Sequence, residues 1–204
     1  MLKRLLLVLG FGVLAGFCAI AFEASAQTSV ALELIERARV STSQRVQTQL
    51  LTRAEHTLQN SWARPVLWHA GASEALSGAY YAHGLVAQDT ALLRQSANWA
   101  ENTVRLAPVQ PHAWIRLAAL DEGGIANSLC RVTECLAHAW RVAPLLNGAG
   151  GCERLRIAYR VGALTSADAR IDAYVQTHPR RIAAACLDFL PPAELYEALM
   201  RDAV

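Results

Sequence analysis

Lysine is nearly absent from this chain: Lys3 is the only one in 204 residues. That excludes a lysine nucleophile, a Schiff-base lysine, a Ser-x-x-Lys pair and a P-loop lysine from everything beyond the N-terminus. One-sided charge is missing too. The formal net charge is +2, and without residues 1–26 the chain keeps 17 arginines against 16 carboxylates. A near-neutral chain with scattered arginines has no electrostatic footprint for nucleic acid, so none is expected as a partner. No stretch alternates apolar and polar residues long enough to make a strand. There is no C-x-x-C, no H-E-x-x-H and no C-x-x-C-H, which leaves no recognisable metal or cofactor motif. Gly71-Ala72-Ser73-Glu74-Ala75 lacks the second glycine of a serine nucleophile elbow.

What is present begins with a targeting pattern. Lys3-Arg4 precedes an uncharged run of 18 residues, Leu5 to Phe22, and Glu23-Ala24-Ser25-Ala26-Gln27 follows. This is the order of a basic n-region, an apolar h-region and small residues for a signal peptidase. Cleavage would fall between Ala26 and Gln27. The run also reaches the lower length limit of a membrane span, so a retained signal anchor through residues 5–22 is the other reading. The Ala-Ser-Ala site favours cleavage. Both place residues 27–204 outside the cytoplasm, in the periplasm of a two-membrane cell, because the basic pair stays inside.

The remainder is rich in alanine and leucine and poor in β-branched runs, which favours helix. Residues 28–60 read as an amphipathic helix with a break point at Ser41-Thr42-Ser43. Val30, Leu32, Leu34, Ile35, Leu50, Leu51, Ala54 and Leu58 are its apolar positions; Glu33, Glu36, Arg37, Arg45, Arg53 and Glu55 are its polar face. Helices are then expected over 66–84 (ending near Gly84), 89–107, 112–122 and 126–143, with Leu129, Val132, Leu136 and Ala139 of the last facing inward. Asn147-Gly148-Ala149-Gly150-Gly151 reads as a turn, and shorter helices follow over 152–162, 166–178, 181–188 and from Pro191-Pro192 to about Asp202. Proline and glycine between periodic segments connect helical hairpins in this way. The fold class is therefore all-α.

Two of these helices end alike. Ala100 to Pro108 and Cys135 to Pro144 each place small residues before a closing proline, and Trp114-Ile115-Arg116-Leu117-Ala118 opens the helix after the first. The two prolines are 36 residues apart, close to a period of about 34. The pattern resembles a tetratricopeptide repeat, in which small residues admit close helix approach and the tryptophan fills the groove. It departs from the repeat at Asp121, where a late tyrosine belongs. The resemblance implies a short α-solenoid of antiparallel hairpins over residues 61–144, with residues 145–204 packing on it as short helices. The order of exported N-terminus, one and a half repeats, "RVAPLL" and an arginine-bearing helix (Arg154, Arg156, Arg160) further resembles small exported repeat proteins of exopolysaccharide biosynthesis and export. That implies a non-enzymatic scaffold or adaptor for a protein partner in the cell envelope.

Five cysteines are present, and Cys18 belongs to the targeting segment. The other four form an even set in an oxidising compartment. Cys130 with Cys135 and Cys152 with Cys186 is the preferred pairing, since the first two are near in sequence. Residues five apart in one helix point away from each other, so that bridge requires a helix break or a helix start near Arg131. Buried free thiols are the alternative.

The histidines (His56, His69, His83, His112, His138 and His178) fall on separate helices, where packing or surface roles are the commonest. Glu74, Asp121, Glu122 and Glu153 are the carboxylates of an alternative reading, a small polysaccharide-modifying hydrolase with dispersed acids. Trp68, Tyr80, Tyr81, Trp99, Trp114 and Trp140 gather in the repeat-like region. Filling grooves between helices is their first expected role. Lining a concave face that grips a partner is the second.

Overall fold

A computed structural model of the chain describes residues 2–63, 69–143 and 148–161. They form α1 (Leu2–Val40), α2 (Gln44–Trp62), α3 (His69–Ala87), α4 (Thr90–Leu106), α5 (Pro111–Glu122), α6 (Val132–Val142) and α7 (Gly148–Arg160). Among the described residues there is no strand. Trp68, Cys186, His178 and the helices expected after residue 162 lie outside them. The chain divides into two compact units, Met1–Leu106 and Ala107–Val204, and the division falls within the stretch 61–144.

In the first unit, α1 runs unbroken through the small residues 24–26 that a signal peptidase would read. The chain turns at Ser41-Thr42-Ser43, where the sequence marks a break. Gln47 holds the turn by donating its side-chain amide to the Ser41 carbonyl at 2.7 Å. The core gathers Ala31 and Leu34 from α1, Ala54 and Leu58 from α2, and Ala75, Leu76, Ala79 and Tyr80 from α3. Val30 and Leu32, expected among the apolar contacts of α1, are exposed instead. The buried stripe of this helix runs through Ala24, Ala31, Leu34 and Ala38, and a single helix face has no room for both sets.

Helices α3 and α4 lie antiparallel and close. Ser77 and Ser96 exchange hydroxyl-to-carbonyl bonds of 3.0 and 2.8 Å. One turn along, Ser73 donates to the Trp99 carbonyl at 3.0 Å and accepts from Thr103 at 2.9 Å. Gly84 does not end α3. It is buried within it, and a Cβ there would lie 2.7 Å from Leu93 Cδ2 and 3.1 Å from Leu93 N, so this glycine serves close approach. The helix ends three residues later with Gln88 in the left-handed region (φ 54°), and Asp89 N–H donates back to the Gly84 carbonyl at 3.0 Å, a Schellman closure. Asp89 then caps α4 by accepting Ala91 N–H at 2.7 Å.

In the second unit, Pro111 sits in the first turn of α5, where its missing N–H costs nothing. Gly124 (φ 81°) closes the helix, with Ile125 N–H donating to the Leu120 carbonyl at 2.8 Å. A long loop follows because α6 starts at Val132, six residues later than the periodicity suggests. Leu129, expected inside, is exposed as a result, while Leu136 and Ala139 are buried. Asn127 Oδ1 organises the loop by accepting Leu129 and Cys130 N–H, each at 3.0 Å. The stretch 148–151 is the opening of α7 and not a turn. Gly151 and Cys152 are buried there, where a larger residue than glycine would have less room.

Candidate functional site

The most chemically loaded place in the first unit lies between α2 and α3, which run antiparallel. Glu55 and Gln59 are one turn apart on α2, and Tyr80 and His83 one turn apart on α3, so each pair shares a helix face. His83 Nδ1 and Glu55 Oε1 are 2.7 Å apart, with both side chains only 11% exposed. Gln59 donates its side-chain amide to the Tyr80 hydroxyl at 2.6 Å. Burial pushes the Glu55 carboxyl above its ordinary range, against the opposing hydrogen bond and charge of His83. Burial, then the nearby Glu55 carboxylate, raises the Tyr80 hydroxyl as well, with the Gln59 bond opposing. Leu51 and Leu58 on α2 and Leu76 and Ala79 on α3 are buried too.

This cluster corrects two expectations. The sequence puts Glu55 on the polar face of its helix and His83 among scattered histidines; together they form a buried hydrogen-bonded pair across the helix interface. The available signal was a polar i, i+4 pair (Glu55, Gln59) flanked by Leu51 and Leu58, which breaks the apolar stripe at a buried position.

The second unit has a different polar centre. Arg154 on α7 is 2% exposed and donates to the Ala143 and Ala139 carbonyls at 2.6 and 3.3 Å. The Ala139 carbonyl already accepts Ala143 N–H at 3.1 Å, and the Ala143 carbonyl lies at the C-terminus of α6, where a cation also meets the negative end of the helix dipole. Its guanidinium lies over the Trp140 ring, Cζ to centroid 3.4 Å. Burial lowers its pKa to about 10, so it remains charged at neutral pH.

No protein-family model matches this chain, and neither does a curated protein or a solved structure. The remaining expected residues are therefore followed through their own surroundings. Tyr80, Trp114 and Trp140 are buried, whereas Tyr81 and Trp99 are half-buried. Trp99 packs edge-on against Trp62, with centroids 5.1 Å apart. In the second unit Trp114 stacks on His138 at 4.4 Å and donates Nε1–H to the Pro108 carbonyl at 2.9 Å. Groove filling accounts for the rings of Trp114 and Trp140.

Cys130 and Cys135 form a disulfide with Cα atoms 5.4 Å apart. The geometric difficulty is met as the spacing requires: Cys130 precedes the helix and Cys135 lies in its first turns, with Arg131 at the N-cap. Cys152 is disulfide-bonded as well; the pairing with Cys186 lies outside the described residues. Cys18 is a free, exposed thiol.

The carboxylates of the hydrolase reading have structural work. Asp121 Oδ2 accepts Val132 N–H at 3.0 Å, capping α6 from the preceding helix, and lies 3.7 Å from Arg131. Glu122 pairs with Arg160 at 3.2 Å, and Glu153 with Arg156 Nε at 2.8 Å. Ser73, at the failed elbow sequence, directs its hydroxyl at a helix carbonyl. Among the described residues no three His, Cys, Asp or Glu side chains converge as a metal site.

Proposed function

We propose that this protein is a non-enzymatic scaffold or adaptor on the periplasmic side of the inner membrane, holding a protein partner of an envelope-polysaccharide assembly. One observation carries the reading: Asp121, Glu122 and Glu153, three of the four acids of the hydrolase reading, each serve a helix cap or an ion pair. The antiparallel pairs α3/α4 and α5/α6 support a tetratricopeptide-like arrangement of hairpins, in which exposed helix faces bind and do not react. The half-buried Tyr81 and Trp99 are the first residues to test as partner contacts, since aromatic rings with accessible edges dominate protein interfaces.

Affinity capture of the tagged full chain from its own envelope tests this. A polysaccharide-assembly protein is expected on the wild type and is expected to be lost from Trp99→Ala, with helicity unchanged by circular dichroism. Release of soluble saccharide from envelope polymer by the purified chain, abolished in Glu74→Ala or Glu153→Ala, would overturn the proposal in favour of the hydrolase.

A further inference from the structure

The two halves of α1 are in different surroundings: Phe17, Ile20 and Ala21 are half-buried, and the first buried residue is Ala24. Phe11, Val13 and Phe22 are 70%, 74% and 77% exposed, and nothing in the unit covers them. From Ala24 onward the helix carries its buried stripe, Ala24, Ala31, Leu34 and Ala38, packed on α2. Over Phe11–Val40 the helix is long and apolar enough to cross a membrane. A hydrocarbon core of about 30 Å takes roughly 20 helical residues, in a range that begins at about 17. The uncharged run Leu5 to Phe22 supplies 18, bracketed by Lys3-Arg4 and by Glu23 at its outer edge.

The peptidase-like residues are not presented for cutting. Ala24, Ser25 and Ala26 are helical. The Ala24 carbonyl accepts the Ser61 hydroxyl from α2 at 3.0 Å and the Thr28 hydroxyl at 2.9 Å, and those two hydroxyls are 3.3 Å apart. Proteases bind their substrates extended, so cleavage after Ala26 requires this turn to unwind and leave α2. Between Phe17 and Ala63 there is no glycine or proline to start the unwinding.

We infer that residues 3–22 stay on the protein as a membrane-spanning anchor whose partner is the hydrocarbon of the bilayer, with α1 passing from lipid into the packing of the first unit as one helix. The basic pair Lys3-Arg4 fixes its N-terminus on the cytoplasmic side. This holds whether or not the protein is a scaffold, and partner capture does not bear on it.

The test uses the full chain expressed in a cell with an inner membrane and signal peptidase. Intact mass and N-terminal sequence are expected to show no loss of the first 26 residues. Membrane pellets are expected to retain the chain through alkaline carbonate and release it to detergent. A chain beginning at Gln27 would overturn the anchor, and so would an intact chain that carbonate extracts.

Discussion

In the first unit the polar side chains stand midway along the helices: Ser77 and Ser96 trade bonds across α3 and α4, and Glu55 meets His83 across α2 and α3. In the second they stand at helix ends, where Asp121 caps α6, Arg154 closes it, and the Cys130–Cys135 bridge ties its first turns to the loop before it. The difference follows from helix length. Helices α2 to α4 have 17 to 19 residues, enough turns to hold their shape, and need mainly a fixed register against each other. Helices α5 to α7 have 11 to 13, at which length isolated helices are marginal and end groups weigh more. Mid-helix polar bonds set register; end bonds and bridges keep short helices from fraying.

That comparison can be broken in several places. Leu76→Ala, at a fully buried position, is expected to destabilise the first unit by about 3 kcal/mol. Hydrogen exchange resolved by peptide should speed up in α2 to α4 and stay unchanged in α5 to α7. Arg154→Met keeps the bulk but removes both bonds to the end of α6, with an expected cost of about 2–3 kcal/mol. Its signature is faster exchange at the C-terminal turns of α6, and an unchanged pattern there would show that the end bonds do not hold this helix.

Replacing Cys130 and Cys135 together by serine is expected to cost about 2 kcal/mol. Dithiothreitol, which also reduces the bridge of Cys152, should destabilise the second unit further while leaving the denaturation of the first in place. For Glu55 the readout is pH. Its folded-state pKa is raised, by burial, so its contribution to stability is full below the ordinary carboxylate range and is lost as pH rises through the raised value. Urea midpoints of wild type and Glu55→Gln should therefore diverge as pH rises above the ordinary carboxylate range, from about pH 4, the wild type doing relatively better at the acid end. Parallel curves would show that Glu55 does not titrate differently on folding. The smallest effect belongs to Gln88→Gly, which should raise the melting temperature through a gain of about 1 kcal/mol, because glycine accepts positive φ without strain.

The all-helical class, the break at Ser41-Thr42-Ser43, the span of α5 and the need for α6 to start near Arg131 were legible from the chain. Each depends on local chemistry: a run of Ser and Thr between two helices, an N1 proline, a double glycine, and the reach of a disulfide. The Glu55–His83 pair was not legible, because 28 residues separate its members and only the packing of α2 on α3 brings them together. Gly84 read as a stop for the same reason, since its role depends on Leu93 of the facing helix. Arg154 read as one of three arginines on its helix, and nothing in the sequence of α7 indicates that α6 ends beside it. Tyr80, Tyr81 and Trp99 were legible as residue types, while their degree of burial was set by neighbours.

The short ring closed by Cys130 and Cys135 makes the start of α6 answer to redox conditions. In a reducing cytosol both sulfurs stay as thiols, and the opening turns of α6 lack their clamp. Where oxidation is available, sealing a six-residue ring requires little search, because its ends are never far apart.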